Sequence, residues 1–507
     1  MQRDILAEIT ARHRADIAER GVSLGYDVPE IRTRPVVPFM AAPGTILEIK
    51  RASPSRGMIS AGLDAVKTAE TYVNAGTEAV SVLTENNYFR GSLGDLAAVA
   101  GAVGTRASVL RKDFLLEPDE VNVAYDCGAD AVLLIARILD AETLRAMAGR
   151  AFSLGIAVLL EIREDDDCGK AYEVMKLARD MGCEMQLVLG INARDLATFH
   201  VDLLAPVRIR CRMSAYCAKR KERLKLPPVV AESGITTDEA ARFAGSMRFR
   251  GVLIGEAAAR SPEKAYELVR AFVAAAEAGM KTTETLLWEN IAARLDRAAG
   301  KRPLIKICGI TKESDAHAAA SAGADFLGFV FSGESRRCTD GETVRNIRAS
   351  FEKDSRPVFI GVVTDPESVG GREAVRLAEA GILDGIQFHG CIPPDDVPGY
   401  AAVRVQSDAD VVRMKELLKA GQHRVLIDAF LDGIPGGTGS RIPDAIVQKA
   451  ASLSQLWLAG GITPENVSGI VQKFRPELID VSSGVESAPG IKDHEKISRL
   501  FAAIDNR

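Results

Sequence analysis

Several ionisable residues in the first half of the chain stand where short apolar runs end. Glu48 and Lys50 lie two apart in TILEIK (45–50), Lys112 ends SVLRK (108–112), and Glu161 nears the end of AVLLEI (157–162). Asn192 ends LVLGIN (187–192), and Glu232 and Ser233 end PVVAES (228–233). Lysine and glutamate are rarely buried without partners. Alternate residues of a strand share a side, so Glu48 and Lys50 can face one mouth. Carboxylates and ammonium groups converging there can give and take protons. A ring of ion pairs closing the structure is the plainer reading, and the number of converging groups favours acid/base chemistry. In the second half Cys308 ends LIKIC (304–308) and Asp428 ends RVLID (424–428). A single cysteine is more often buried and inert. At a strand end before Gly309, with a carboxyl across the mouth, a thiol can help move a proton from carbon to oxygen, as aldose–ketose isomerisation requires.

Two further segments repeat each other. VVAESGIT (229–236) and LWLAGGIT (456–463) both stop at Gly-Ile-Thr, and each is followed by a second apolar run ending at glycine, VLIGEAA (252–258) and LIDVSSGVE (478–486). Gly234 to Gly255 is about 21 positions and Gly461 to Gly484 about 23. Glycine lets backbone approach an anion, and helix N-termini offer free N–H groups. One such turn would be ordinary turn chemistry; two at similar spacing point to two phosphate sites.

The elements that must position these residues are short apolar runs without alternation, the pattern of buried parallel strands. The first half holds eight, beginning with TILEIK and ending with GVLIG (251–255); the second holds eight more, from LIKIC to LIDVSS (478–483). Helical patterns such as AVKTAETYVNAG (65–76) separate them and often end at Gly or Asn. Eight strands alternating with helices fit a closed (β/α)8 barrel better than an open doubly wound sheet, since no GxGxxG follows either first strand. The expected fold is α/β, two consecutive (β/α)8 TIM barrels, the first with an N-terminal helical extension in ILAEITARHRADIAERG (5–21). The expected domains are 1–278, a helical connector over 279–303 with Leu286, Leu287, Ile291 and Leu295 on one face, and 304–507.

Composition restricts the class. A chain of 507 residues is too long for one core. Its 47% hydrophobic and 26% charged content is ordinary globular material, and a net charge of −5 argues against a nucleic-acid surface. The basic run RIRCRMSAYCAKRKERLK (208–225) then reads as a solvated insertion after the sixth strand. The N-terminus lacks the apolar core of a signal peptide, and no run approaches a membrane span. Eight scattered cysteines form no CxxC or metal cluster. The expectation is a cytoplasmic protein with reduced thiols, no metal, no cofactor, no membrane and no nucleic-acid partner.

EIKRASPS (48–55), VLTENNYFRGS (82–92), LRKDF (110–114), GINARDL (190–196) and AESGI (231–235) together closely resemble indole-3-glycerol phosphate synthase over about residues 5–275. The resemblance implies ring closure of 1-(o-carboxyphenylamino)-1-deoxyribulose 5-phosphate with loss of CO2 and water. It makes Lys112 the general acid and Glu161 the carboxylate of the dehydration, with Glu48 and Lys50 as an adjacent positioning pair. Asn192, Glu232 and Ser233 carry over as hydrogen-bonding site residues and Arg194 as the charged neighbour of Asn192. Phe89, Phe114 and Leu196 would form an apolar shelf, a role that ordinary core packing matches equally well. Ser53, Gly234 and Gly255 correspond to phosphate contacts, with backbone N–H groups serving beside Glu256.

KICGIT (306–311), GADFLGFVF (323–331), QFHG (387–390), GGTGS (436–440), LAGGITPENV (458–467) and DVSSGVESAPGIKD (480–493) resemble phosphoribosylanthranilate isomerase over about 304–500. That family performs an Amadori rearrangement of N-(5′-phosphoribosyl)anthranilate. Cys308 would be its general base and Asp428 the acid that opens the ribose ring. Arg337 falls where the family pairs an arginine with the anthranilate carboxylate, with Arg336 beside it as the alternative. His389 and Asp480 carry over as site residues, and Gly460, Gly461, Ser483 and Gly484 as the phosphate cradle. Ser440 replaces a frequent lysine.

The two resemblances describe consecutive steps of tryptophan biosynthesis on small phosphorylated substrates, in a monomer whose two barrels pack on each other. A histidine-pathway isomerase would use two aspartates and is disfavoured by Cys308. A barrel kept only as a phosphate-ligand-binding scaffold is the other alternative, and retention of both proton-transfer sets disfavours it.

Overall fold

The computed structural model describes residues 4–54, 57–60, 62–194, 201–278, 283–298, 301–352, 356–394, 397–429 and 442–505. The chain divides into two compact units, Met1–Met280 and Lys281–Arg507.

In the first unit eight parallel strands close into a barrel: β1 Gly44–Ile49, β2 Ala79–Leu83, β3 Ser108–Lys112, β4 Ala131–Ile135, β5 Ala157–Ile162, β6 Leu187–Asn192, β7 Val229–Glu232 and β8 Gly251–Ile254. Their faces are buried on both sides, inward against the barrel filling and outward against the helices, which explains the unalternating sequence. Around the barrel Ile46 pairs with Ala79, Ala79 with Ser108, Leu110 with Ala131, Ala131 with Ala157, Val158 with Leu187, Leu189 with Val229, Val230 with Gly251 and Gly251 with Gly44. Projected onto one ring, that path returns to β1 about eight residues before its start, the shear of a TIM barrel. This stagger brings the ends of β1, β3, β5, β6 and β7 to one mouth.

The second unit repeats the architecture with β9 Leu304–Cys308, β10 Phe326–Val330, β11 Val358–Val363, β12 Gly385–His389, β13 Gly399–Val405, β14 Val425–Ala429, β15 Trp457–Ala459 and β16 Leu478–Val481. All sixteen apolar runs are therefore barrel strands.

A helix over Ile5–Arg20 precedes the first barrel. Asp4 caps it by accepting from the Ala7 N–H at 3.2 Å, and Gly21, at φ +74°, ends it. Ile5, Leu6, Ile9, His13, Asp16 and Ile17 are its buried positions, one face at helical spacing. The helix Thr283–Ala298 belongs to the second unit. Its buried face is Leu287, Trp288, Ile291, Ala292 and Leu295, with the Trp288 ring 6.4 Å from that of Trp457 and edge-on to His423 at 5.3 Å. Leu286, expected on that face, is 45% exposed, because the stripe is centred on Trp288 instead. Gly385 begins β12 where the Leu287 side chain abuts the strand, 2.6 Å from where a Cβ would stand.

The basic run is largely the helix Ala205–Ala218 and the turn after it. Arg212 pairs with Asp165 at 2.6 Å, Arg210 donates to the Met247 carbonyl and lies over the Phe249 ring, and Arg220 lies over Tyr216. The expected solvated insertion is instead in part a packed barrel helix: Ile209, Met213 and Cys217 are buried, and the arginines lie on its outer side and in the turn beyond. All eight cysteines are free thiols. No helix among the described residues is long and apolar enough to cross a membrane.

Candidate active sites

The first mouth encloses a cavity of about 160 Å³. Glu48, Lys50, Ser53, Phe89, Lys112, Phe114, Glu161, Asn192, Arg194, Glu232, Ser233, Gly234 and Gly255 all line it. Leu196 lies outside the described residues. Lys50 Nζ is 2.6 Å from Glu48 Oε1, and Lys112 Nζ is 3.8 Å from both Glu48 Oε2 and Glu232 Oε2. One ammonium thus sits between two carboxyl groups from β1 and β7.

Burial and charge push these groups apart. Burial alone would raise the Glu48 carboxyl, but Lys50 and Lys112 outweigh it and hold the pKa below the ordinary carboxylate value. Glu161 moves up through burial, which exceeds the opposing pull of Lys112 and Arg163 and the hydrogen bond from Asn192. Glu232 is pushed up to about 8 by burial, then by the nearby Glu161 charge. Its Oε1 is buried without a hydrogen-bond partner, which suits a neutral carboxyl. Burial would lower Lys112, yet Glu48, Glu232 and Glu161 raise it, so it stays an ammonium. The mouth therefore contains a firm carboxylate, a firm ammonium and two carboxyls poised nearer neutrality.

Local backbone makes room for this arrangement. A Cβ on Gly190 would collide with Glu232 Oε1, and one on Gly255 would stand 2.5 Å from Glu48 Oε1. Ser233 has φ +67°, a conformation unusual for a side-chain-bearing residue, and Gly234 follows at +84°. Glu256, beside the cradle, is paired with Arg260 at 3.1 Å. Phe89 and Phe114 have ring centroids 6.1 Å apart, and Lys50 Nζ lies 5.6 Å from the Phe89 ring.

Two contributors were not legible as site residues from the sequence. Buried Glu85 accepts from the N–H groups of Asn87, Tyr88 and Phe89 at 2.7–2.9 Å, folding the β2 loop so that Phe89 reaches the cavity. Ile5, Leu6 and Ile9 of the N-terminal helix also line the cavity. That helix is tied down by Tyr88 Oη donating to Glu8, Asn87 to Asp16, and His13 against Glu120 at 2.7 Å. The amphipathic stripe was visible, but not what it would cover.

The second mouth is roomier, about 550 Å³. Cys308, Arg337, His389, Asp428, Gly460, Gly461, Asp480, Ser483 and Gly484 all line it. Cys308 ends β9 and Asp428 is next to last in β14, three strands away around the closed ring. Burial raises the Cys308 thiol, and Lys306 pulls it back most. His389 Nε2 accepts from Arg404 Nε at 3.1 Å and lies 3.7 Å from Asp428 Oδ2. Burial, then Arg404, pushes the imidazole down to about 4, so it is neutral near pH 7 and this contact is not an ion pair. Arg337 crosses Gly309, where a Cβ would stand 2.7 Å from its Cδ, and grips Glu486 with Nε at 3.0 Å and Nη2 at 2.8 Å. Arg336 is exposed and does not line the cavity.

The cradle has Gly460 at φ +93° and Gly461 at +62°. A Cβ on Gly484 would collide with the Ile462 carbonyl. Asn466, which sequence reasoning did not single out, locks the turn: its Nδ2 donates to Gly461 O at 2.7 Å and its Oδ1 accepts from Thr463 N at 2.9 Å. GGTGS and Ser440 lie outside the described residues.

Family models agree with the two mouths. The model for indole-3-glycerol phosphate synthase matches residues 27–271 and that for N-(5′-phosphoribosyl)anthranilate isomerase matches 305–503. The tryptophan biosynthesis protein TrpCF of Yersinia pestis is 30% identical, over 90% of this chain and 84% of its own length. The protein of that name from Vibrio parahaemolyticus is also 30% identical, over 91% and 84%. A multifunctional tryptophan biosynthesis protein of Schizosaccharomyces pombe is 30% identical over 99% of this chain, which spans 66% of that longer protein. The chain belongs to the family of bifunctional tryptophan-biosynthesis enzymes in which an indole-3-glycerol phosphate synthase domain is followed by a phosphoribosylanthranilate isomerase domain.

Proposed function

We propose that the second barrel isomerises N-(5′-phosphoribosyl)anthranilate and that the first converts the product to indole-3-glycerol phosphate. In the second mouth Asp428 gives a proton to the ribose ring oxygen as the C1–O bond breaks, leaving a protonated imine. Cys308, as thiolate, takes the C2 proton, and the resulting enol rearranges to the amino ketone. Arg337, held in the cavity wall by Glu486 through Nε and Nη2, presents its remaining edge to the anthranilate carboxylate, and Gly460, Gly461, Ser483 and Gly484 hold the phosphate through backbone N–H groups.

In the first mouth the Lys112 ammonium protonates the ketone oxygen while the aromatic ring carbon attacks the carbonyl. CO2 leaves, restoring the aromatic ring. Loss of water then needs a base, and Glu161 serves, since burial has brought its pKa towards neutrality. Glu48, fixed as a carboxylate by Lys50, orients Lys112. Phe89 and Phe114 flank the anthranilate ring, and Ser53, Gly234 and Gly255 hold the phosphate. The proton-transfer groups and cradle of each mouth come from a single barrel, so neither reaction calls for a residue of a second copy.

The observation that carries the reading is the pairing of a glycine cradle with a different proton-transfer set in each barrel. Asp428→Asn tests the isomerase half: it should leave phosphoribosylanthranilate unconverted while added deoxyribulose intermediate still yields indole-3-glycerol phosphate. Undiminished isomerisation by Asp428→Asn would remove Asp428 from the mechanism.

A further inference from the structure

One strong charge in the second barrel belongs to neither the proton-transfer pair nor the cradle. Lys306 lies in β9 two residues before Cys308, so both side chains point into the barrel. It pairs in register with Asp480 of β16. The interior layers of such barrels are normally apolar. Lys306 is nonetheless 0% exposed and does not line the cavity.

Its three N–H donors are fully engaged. Nζ donates to Gln387 Oε1 at 2.6 Å, to Asp480 Oδ2 at 2.7 Å and to Cys308 Sγ at 3.5 Å. Tyr400 Oη also donates to Gln387 Oε1, at 3.2 Å, which fixes the amide oxygen toward the ammonium. Gly328 of β10 leaves the space: a Cβ there would stand 2.7 Å from Cys308 Sγ and 3.0 Å from Lys306 Cε. A buried lysine is costly unless paired, and one carboxylate already pairs it. The third donor is therefore directed at the thiol from below, while substrate approaches from the mouth.

We propose that Lys306 is the positioning residue of the isomerase, holding Cys308 Sγ in place from beneath and supporting the thiolate that acts as base. Asp480 and Gln387 set the ammonium's position, and Asp480 limits how much of its charge the sulfur feels. The inference rests on Cys308 being the base.

The other charged or titratable groups around the thiol are Asp480 from β16, Arg337 from the loop after β10, Tyr400 from β13 and Lys492, whose Nζ donates to the Cys308 carbonyl at 2.5 Å. Among the charges acting on Cys308, Lys306 lowers the thiol pKa most and Asp480 opposes it. Neutralising each gives opposite signs, which a purely structural role would not.

The test follows alkylation of Cys308 by iodoacetamide against pH in the full-length chain, read by mass spectrometry of the Cys308 peptide. Lys306→Met should move the alkylation profile up by about one pH unit or more, slowing the reaction about tenfold at neutral pH. Asp480→Asn should move it down, and the double variant K306M/D480N should fall between Lys306→Met and the native chain. The double variant keeps the test open if Lys306→Met alone fails to fold around an unpaired Asp480. In steady state Lys306→Met should lower isomerase kcat with little change in KM, and its indole synthesis from the intermediate should stay normal. A double variant that folds and keeps the native alkylation profile overturns the proposal. Isomerisation surviving in Cys308→Ser would instead overturn the base assignment, whatever the alkylation profiles showed.

Discussion

At the scale of single residues, the first mouth is organised by how one ammonium divides its influence among three carboxyl groups. Glu232 gives a measurable consequence. Its pKa is near 8 in the folded chain against 4.5 for the free side chain. The folded state therefore holds a proton that the unfolded state releases between those values, and stability falls as pH rises through that window. Stability contributed by the neutral carboxyl is full below about pH 4.5 and is lost as pH passes 8. Glu232→Gln cannot ionise, so its stability relative to the native chain should increase from pH 5 to pH 8, as read by urea denaturation. A constant difference across that range would mean that Glu232 is ionised throughout. Most such residues were legible because a charged side chain at the end of an apolar run is conspicuous. Lys306 was not, although it sits two residues before Cys308 in the same run. A lone lysine within a strand gives no sign of which neighbouring strands will supply Asp480 and Gln387. Glu486, which occupies Arg337, and Asn466 were hidden for the same reason: their partners are supplied by turns.

At the scale of elements, the sixteen barrel strands were readable because burial on both faces leaves no alternation, whereas the short hairpins Ala52–Ser53 with Gly57–Met58 and Glu486–Ala488 with Ile491–Lys492 were not. The N-terminal helix was readable as an amphipathic element, but not as part of a site. Its apolar stripe could have docked on any face of the barrel; Glu8, His13 and Asp16 select the mouth by reaching Tyr88, Glu120 and Asn87. Ile5, Leu6 and Ile9 of this helix form part of the cavity wall, so the helix helps shape the proposed synthase site. Ile9 is buried and faces the cavity. Ile9→Ala should weaken helix docking by about 2–4 kcal/mol and raise the synthase KM, with isomerase parameters unchanged. Steady-state assays of the two half-reactions on that variant decide it, and an unchanged synthase KM would leave the helix without a role at the mouth. The helix Thr283–Ala298 shows the converse limit. The sequence displayed its apolar face, but the exposure of Leu286 and burial of Trp288 depend on the side-chain shapes of Trp457 and His423.

At the scale of the whole molecule, the two Gly-Ile-Thr segments contribute to the walls of the two mouths, and the proposed function makes them cradles for the same phosphorylated handle, with the rest of each mouth setting the chemistry. For the monomer expected from the sequence, gel filtration with light scattering should give a mass near 54.3 kDa, and twice that mass would contradict it. The central claim is that two successive reactions run at two separate sites, and a paired assay tests it most directly. Purified native chain, Cys308→Ala and Lys112→Ala are each supplied with phosphoribosylanthranilate and, separately, with the deoxyribulose intermediate. The native chain should carry phosphoribosylanthranilate through to indole-3-glycerol phosphate. Cys308→Ala should lose isomerisation by roughly a hundred- to ten-thousandfold and still process the intermediate. Lys112→Ala should isomerise normally and accumulate the intermediate. Loss of both reactions from either single substitution would contradict the account.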